Sequence, residues 1–135
     1  MTPLPPFDAL FADGLAIINP ADHVALYLGS PAIAAENPVY AKLIRAERDL
    51  ARLRQGWRPT PDDLSNAPCL SHWSFAATIT GDVTVLFGIV NGHPRIRDGG
   101  WCTTSMLVAI DTCHWKWART LSRFYRIKAG PVVRG

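Results

Sequence analysis

The chain has 135 residues, of which 48% are hydrophobic and 19% are charged, and its formal net charge is +3. This length fits one domain, and the hydrophobic content excludes a globally disordered chain because it supplies enough apolar surface for a core. The mild positive charge is far below the dense basic composition of a dedicated DNA coat, so it excludes that class of protein.

The first 37 residues are rich in proline and alanine and show no clear periodicity. Two short apolar runs in this segment, 15–18 and 24–28, are each compatible with a strand or a helical turn. No basic segment precedes a long apolar run, so we expect neither export nor a membrane anchor, and the cytoplasm is the expected location. The three cysteines are an odd number, which argues against a secreted disulfide framework.

A long amphipathic helix is predicted over 38–55. Its apolar residues recur at steps of three and four, which places them on one face of a helix, and Gly56 follows where a left-handed C-cap is favoured. Thr60 and Asp63 then have the spacing of a cap for a short second helical turn, so we expect 38–66 to be helical. The apolar stripe consists of Val39, Leu43, Ala46, Leu50 and Leu53.

From residue 72 onward the composition shifts to β-branched and aromatic residues, which predicts a mainly β region over 72–128. Asn91-Gly92 and Asp98-Gly99-Gly100 are turn signals and predict two bends between strands. The segment 101–110 is predicted as one strand. The last segment, 115–127, is compatible with a strand or a helix, and its threonine, aromatic and isoleucine residues favour the strand.

These elements predict an α+β fold in a single domain, residues 1–135, with 1–37 as an N-terminal segment. One long amphipathic helix is expected to pack on a small antiparallel sheet or partly closed barrel of four to five strands. Closure would cover the exposed edges of so small a sheet. Large aromatic residues are expected to supply much of the core: Trp73, Phe87, Trp101, Trp115, Trp117 and Phe124.

The last third of the chain carries the pattern Gly-His-Pro, Asp-Gly, Thr-Ser, Ile-Asp and then Trp-Ala-Arg-Thr-x-Ser-Arg-x-Tyr-Arg. In this pattern the chain resembles an uncharacterised family of small bacterial proteins, a domain of unknown function. The resemblance implies no reaction, ligand or catalytic residue. The pattern occupies Gly92, His93, Pro94, Asp98, Gly99, Thr104, Ser105, Ile110, Asp111, Trp117, Ala118, Arg119, Thr120, Ser122, Arg123, Tyr125 and Arg126.

The start of this pattern is interpreted as a structural turn motif. Glycine supplies the positive φ that a tight turn needs, and proline removes a donor from the strand ladder, which suits an edge or a bulge. The residues of the motif are Gly92, His93, Pro94, Asp98 and Gly99.

Nucleophilic catalysis has candidate residues but no recognisable frame. The candidate nucleophile is Cys102, Ser105 or Ser122, with His93 as its base and Asp98 as the group that orients the base, as in a small hydrolase. No Gly-x-Ser-x-Gly elbow surrounds a candidate serine. We therefore assign no catalytic residue and regard a hydrolase-like enzyme as the second alternative.

A zinc site is disfavoured by spacing. Cys69, His72, Cys113 and His114 are zinc-ligand types. Adjacent Cys113 and His114 would point to opposite faces of a strand, and no second closely spaced ligand pair completes a site. We therefore expect no metal and no cofactor.

The predicted function is a small binding module, accessory or regulatory, that interacts with another protein. The surface would be the helix face with Arg45, Arg48 and Arg52, or an uncovered sheet edge. The alternative is a nucleic-acid-binding small β-barrel whose basic and aromatic C-terminal segment contacts phosphates and stacks on bases. No membrane partner is expected. The predicted binding residues are Arg95, Arg97, Trp117, Arg119, Arg123, Tyr125 and Arg126.

Overall fold

A computed structural model describes residues 14–17, 38–77 and 84–128. Within these ranges the chain forms one helix and seven strands, and all seven strands belong to one sheet. In chain order the elements are β1 (Leu15–Ile17), α1 (Pro38–Arg54), β2 (Cys69–Ala77), β3 (Thr84–Asn91), β4 (Gly100–Thr103), β5 (Leu107–Asp111), β6 (Trp117–Thr120) and β7 (Phe124–Ile127).

The strands lie side by side in the order β1-β5-β6-β7-β2-β3-β4. Neighbouring strands are antiparallel except β7 and β2, which run parallel. In the described part of the chain β1 and β4 are the two edges, so the sheet is open. The α+β class is confirmed in outline, whereas four to five strands was too few and the barrel prediction was wrong, because the edge strands do not pair with each other.

The segment 101–110, predicted as one strand, is broken into β4 and β5. The regular strand β4 ends before Thr104, because the backbone and the side chain of Thr104 both form hydrogen bonds with the backbone of Leu86 on β3. Thr104 N donates to Leu86 O at 2.8 Å, and Leu86 N donates to Thr104 Oγ1 at 2.9 Å. The chain then crosses to the other half of the sheet, where β5 pairs with β1 and β6.

The segment 115–127 is β-structured, so the preference for strand over helix is confirmed. It forms the antiparallel pair β6 and β7 instead of one long strand. The turn between them is closed by Thr120, whose N donates to Arg123 O at 2.9 Å and whose Oγ1 donates to the same oxygen at 3.1 Å.

The helix prediction is confirmed almost to the residue. Gly56 has φ +99° and follows the helix as its C-cap, and Gly56 N donates to Leu53 O while Trp57 N donates to Arg52 O. These two bonds satisfy carbonyl groups of the last turn, which would otherwise lack a partner. The stripe residues Leu43, Ala46, Leu50 and Leu53 are buried, while the side chain of Val39 lies outside the described residues.

The predicted cap after the helix is also present. Thr60 N donates to Asp63 Oδ2 at 2.8 Å, and Asp63 N donates back to Thr60 Oγ1 at 3.2 Å. Leu64 N donates to Thr60 O, so this reciprocal cap closes a single turn and buries the Leu64 side chain.

The sheet has an apolar cluster on each face. On one face, α1 and the 60–66 turn cover β1, β5 and β6. On the other face the sheet curls upon itself around Trp73. The helix-side cluster is Leu15, Ala46, Leu50, Leu53, Leu64, Met106, Val108, Ala109 and Trp117. The second cluster is Ala16, Leu70, Trp73, Leu86, Val90, Cys102, Leu107, Ile110, Ala118, Tyr125 and Ile127.

The expectation of an aromatic core is correct for part of the set. Trp73 and Trp117 are buried, and Trp115 and Phe124 are partly buried. Trp101 is 58% exposed, so its assignment to the core was wrong. The reason is that β4 is an edge strand, and the indole lies on the face turned away from the second cluster.

Two further sequence expectations concern the N-terminal segment. Within the run at 15–18, Leu15–Ile17 form β1, while residue 18 and the run at 24–28 lie outside the described residues. Within the ranges described, no helix has the length and apolar composition needed to cross a bilayer.

Candidate functional site

The stretch from Asn91 to Gly100 joins β3 to β4 as a single loop. Asn91 Oδ1 accepts a hydrogen bond from Gly99 N at 3.1 Å, and Asp98 Oδ1 accepts one from Gly92 N at 2.8 Å. Gly92 and Gly99 have φ +77° and +82°, values that favour glycine. The residues of the two turn signals therefore bond to each other and close a single loop. No extended segment separates the two predicted bends.

The candidate catalytic residues do not form a nucleophile–base pair. His93 Nδ1 accepts a hydrogen bond from Arg95 N at 3.0 Å, and the imidazole stacks beside the Tyr125 ring with centroids 6.4 Å apart. Among the described residues no hydrogen bond joins His93 to Asp98 or Cys102. Burial raises the pKa of the Cys102 thiol, which disfavours the reactive thiolate.

Three predicted binding residues lie in the interior. Trp117 and Arg119 are each 4% exposed, and Tyr125 is 3% exposed. They belong to β6 and β7, two central strands covered by α1 on one face and by the curled sheet on the other. Buried side chains offer neither a stacking face nor a phosphate contact, so this geometry does not fit the nucleic-acid surface expected from the C-terminal segment.

Arg119 instead joins the helix to the sheet. Arg119 Nε donates to Asp49 Oδ2 at 2.9 Å, and Arg119 Nη1 donates to Thr120 O at 2.7 Å. Its guanidinium carbon lies 5.2 Å from the ring centroid of Phe124. Burial lowers the pKa of Arg119, and the Asp49 carboxylate acts in the opposite direction by favouring the charged form.

The other predicted arginines are distributed over two regions. Arg95 and Arg97 are exposed in the β3–β4 loop, and Arg126 is exposed on β7. Arg123 is half-buried beside His93, and desolvation together with the charges of Arg123 and Arg95 lowers the pKa of that histidine. The seven residues therefore do not form a common surface.

A cleft of about 810 Å³ opens where the start of β2, the β5–β6 turn, β7 and the 58–64 segment meet. Its size lies in the range of ligand sites. Apolar side chains contribute much of its lining, namely Pro59, Pro61, Leu64, Trp117 and Ile127. Four basic side chains also line it: Arg58, Lys116, Arg126 and Lys128.

Backbone carbonyl groups hold two of these cations in place. Arg58 Nη1 donates to Leu53 O at 2.9 Å and to Trp57 O at 2.8 Å. Arg126 Nε donates to Ala67 O at 3.0 Å. Carbonyl groups are neutral, so they orient the two guanidinium groups without cancelling their charge. None of the salt bridges in the described ranges involves a cation of the cleft.

Among the described lining residues Asp111 is the single acid, and its carboxylate is occupied by backbone donors. Asp111 Oδ1 accepts from Cys113 N and His114 N, and Oδ2 accepts from Lys116 N, each at 3.0 Å. These bonds shape the β5–β6 turn, in which Trp115 has φ +54°. The described lining residues include four basic side chains and one acid, so basic side chains exceed acidic ones by three.

The cleft also contains two cysteines and a histidine. Cys69 and Cys113 both line it, and Cys113 Sγ lies 3.8 Å from His114 Nε2. Across the described ranges, no three or more histidine, cysteine, aspartate or glutamate side chains are grouped so that they could hold a metal ion.

The basic C-terminal segment of the sequence includes Lys116, Arg126 and Lys128, of which Arg126 was a predicted binding residue, whereas Arg58 was not predicted. The signal was the excess of cations over acids after residue 115. Arg58 joins this group only because β7 pairs in parallel with β2, with Cys69 opposite Arg126 and Pro68 O accepting from Arg126 N at 2.8 Å. A pairing between distant segments of this kind has no local sequence signal.

The architecture is therefore a helix-backed, open β-sheet of the α+β class with a cationic cleft at one end of its central strands. A family model described as "Family of unknown function (DUF6634)" matches residues 34–131, and the chain belongs to this family. The expected relationship to an uncharacterised domain is thus confirmed. No curated protein matches the chain, and no solved structure does.

Proposed function

We propose that the protein is a binding module that holds an acidic and partly apolar segment of another protein in the cationic cleft. The observation that carries this proposal is the set of four cations that line one ligand-sized cleft and form no salt bridge with a described carboxylate. An unneutralised group of charges of one sign attracts a ligand of the opposite sign.

The mixed lining favours a peptide over a bare polyanion. Pro61 is exposed and Pro59 is half-buried in the apolar part of the lining, so an apolar side chain of the ligand would have surface to cover there. Carboxylates on either side of that side chain would meet the cations. A ligand with alternating acidic and apolar residues satisfies both parts of the cleft, whereas a nucleic-acid backbone satisfies only the cations.

The cations differ in what they contribute. Arg126 is anchored through Nε, which leaves its two terminal nitrogen atoms for a carboxylate in the paired geometry that guanidinium groups favour. Lys116 and Lys128 are exposed and supply point charges without a fixed geometry. The arginine would therefore set the register of the bound segment, and the lysines would add attraction.

Binding of a fluorescein-labelled peptide of alternating Glu and Leu residues, followed by anisotropy, tests the proposal. Lys116→Ala with Lys128→Ala is expected to weaken binding about tenfold, because each lost cation removes a fraction of the attraction. Both side chains are exposed, so the variant is expected to fold.

The matched control is Arg45→Ala with Arg48→Ala, which removes the same charge from an exposed face of α1. This control also tests the helix face as a binding surface. Unchanged affinity in the control and a loss in the cleft variant support the proposal. An equal loss in both variants would reveal non-specific charge attraction, and a loss confined to the control would place the ligand on the helix; either result refutes the cleft.

A further inference from the structure

Phe87 and Trp101 form an aromatic pair at the β4 edge of the sheet. Their ring centroids are 5.0 Å apart and their planes differ by 5°, so the two rings are parallel and stacked. Trp101 is nevertheless 58% exposed. Because Phe87 covers one face of the indole, the open area falls on the opposite face and on the ring edge.

Strand alternation maintains this arrangement. On β4 the Cys102 side chain is buried in the second cluster, so Trp101 and Thr103 point away from it. Trp101 lies opposite Ile89 on β3, and Phe87 lies opposite Thr103, which places the two rings diagonally across the strand pair. The indole is therefore fixed by the sheet and by its stacking partner rather than by a flexible loop.

Two exposed arginines lie just before this pair in the chain. Arg97 O accepts from Gly100 N at 3.0 Å, so Arg97 and Trp101 are joined by a tight turn. Arg95 lies in the same loop, and no salt bridge in the described ranges involves either arginine. The acid of the loop, Asp98, directs Oδ1 to Gly92 N at 2.8 Å.

The geometry points to a stacking platform for single-stranded nucleic acid, formed by Trp101 on Phe87, with Arg95 and Arg97 in the loop that leads into β4. An open indole face binds the flat surface of any base, and nearby guanidinium groups attract the phosphates that accompany it. An acidic peptide would satisfy the arginines but not the flat ring. The platform lies on β3 and β4, whereas the strand residues that line the cleft lie on β2, β5, β6 and β7, so the two proposed sites share no residue.

The test measures binding of a fluorescein-labelled ten-nucleotide oligo(dT) to the full chain at low salt. Trp101→Ala is expected to reduce affinity about tenfold, as is typical for loss of one base-stacking contact. Trp101→Phe keeps a stacking face and is expected to retain most of the affinity. Arg95→Ala with Arg97→Ala is expected to weaken binding and to flatten its salt dependence.

Arg45→Ala with Arg48→Ala is the control, since it removes the same two arginine charges from an exposed face of α1 and is expected to leave oligo(dT) binding unchanged. Absence of binding at low salt, unchanged affinity in Trp101→Ala, or an equal loss of binding in the control variant would each overturn the platform. Self-association of the free protein that Trp101→Ala abolishes, without oligo(dT) binding, would assign the edge to a second copy and would also overturn it. Because peptide and oligonucleotide are measured separately, failure of either proposal leaves the other standing.

Discussion

Arg119 on β6 is a buried cation, and its counter-charge is the carboxylate of Asp49 on α1. Arg119 is 4% exposed, and its 2.9 Å bond to Asp49 Oδ2 compensates its charge. Asp49→Asn would leave that guanidinium buried without a counter-charge. We expect it to lower the free energy of unfolding by about 2 kcal/mol, less than for a fully buried pair because the Asp49 side chain is 19% exposed.

Urea unfolding followed by circular dichroism measures this change, with Glu47→Gln as the matched control. Glu47 is exposed on the same helix, and its loss is expected to change the free energy of unfolding by less than about 0.5 kcal/mol. Equal stability of the two variants would mean that the ion pair does not stabilise the packing of α1 on β6.

His93 supplies a pH-dependent prediction at the same scale. Desolvation lowers its pKa below the ordinary value of 6.5, and the charges of Arg123 and Arg95 act in the same direction. The folded protein therefore favours the neutral imidazole, so the associated stability is present above pH 6.5 and is lost as the pH falls through the lowered pKa.

Titration of the histidine ring signals by NMR is expected to give His93 a pKa below 6.5, and Arg123→Ala should move it upward. Arg48→Ala is the control, because Arg48 lies on the exposed face of α1 and is not among the charges that act on His93. A His93 pKa at or above 6.5 in the unmodified protein would be inconsistent with the described loop.

The packing of α1 offers a matched pair of aliphatic side chains on one element. Leu50 is 1% exposed within the helix-side cluster, and Ile44 is 41% exposed. Leu50→Ala is expected to lower the free energy of unfolding by about 3 kcal/mol through lost burial and the cavity left behind. Ile44→Ala is expected to cost less than about 1 kcal/mol. Similar urea midpoints for the two variants would mean that the stripe does not face the sheet.

The elements differ in how far the sequence predicts them. The signals for α1 are local, since an apolar repeat and Gly56 as C-cap define its extent within a few residues. Strand residue types predict β-structure but not its interruptions. The break after Thr103 depends on the bonds between Thr104 and Leu86, which are 18 residues apart. The bulge in β2 at His72, with φ +50°, has no sequence signal that we recognise.

The candidate site shows the same division. The excess of cations after residue 115 predicts a basic surface, but burial decides which cations reach solvent. Arg119 and Arg126 are both basic residues of neighbouring strands, and they differ because Arg119 points toward α1 whereas Arg126 points into the cleft. Strand order and the position of the helix determine that difference, and both arise from contacts between distant parts of the chain.

At the scale of the whole molecule, the helix-backed sheet carries two proposed binding surfaces. The cleft lies at the ends of the strands, and the Phe87–Trp101 pair lies at the β4 edge. The interior is closed by two apolar clusters, and the cations of the cleft remain outside them. Four of the described cations that form no salt bridge line one concave region, and this arrangement supports the proposed binding module.

The most direct test of the cleft is an NMR titration of ¹⁵N-labelled protein with the acidic, leucine-containing peptide. The account predicts that the largest backbone shift changes fall on Arg58, Cys113, Lys116 and Arg126, all of which line the cleft. Changes concentrated on Arg45, Arg48 and Arg52 of α1, or on Trp101 of β4, would contradict it, as would a spectrum that does not respond at millimolar peptide.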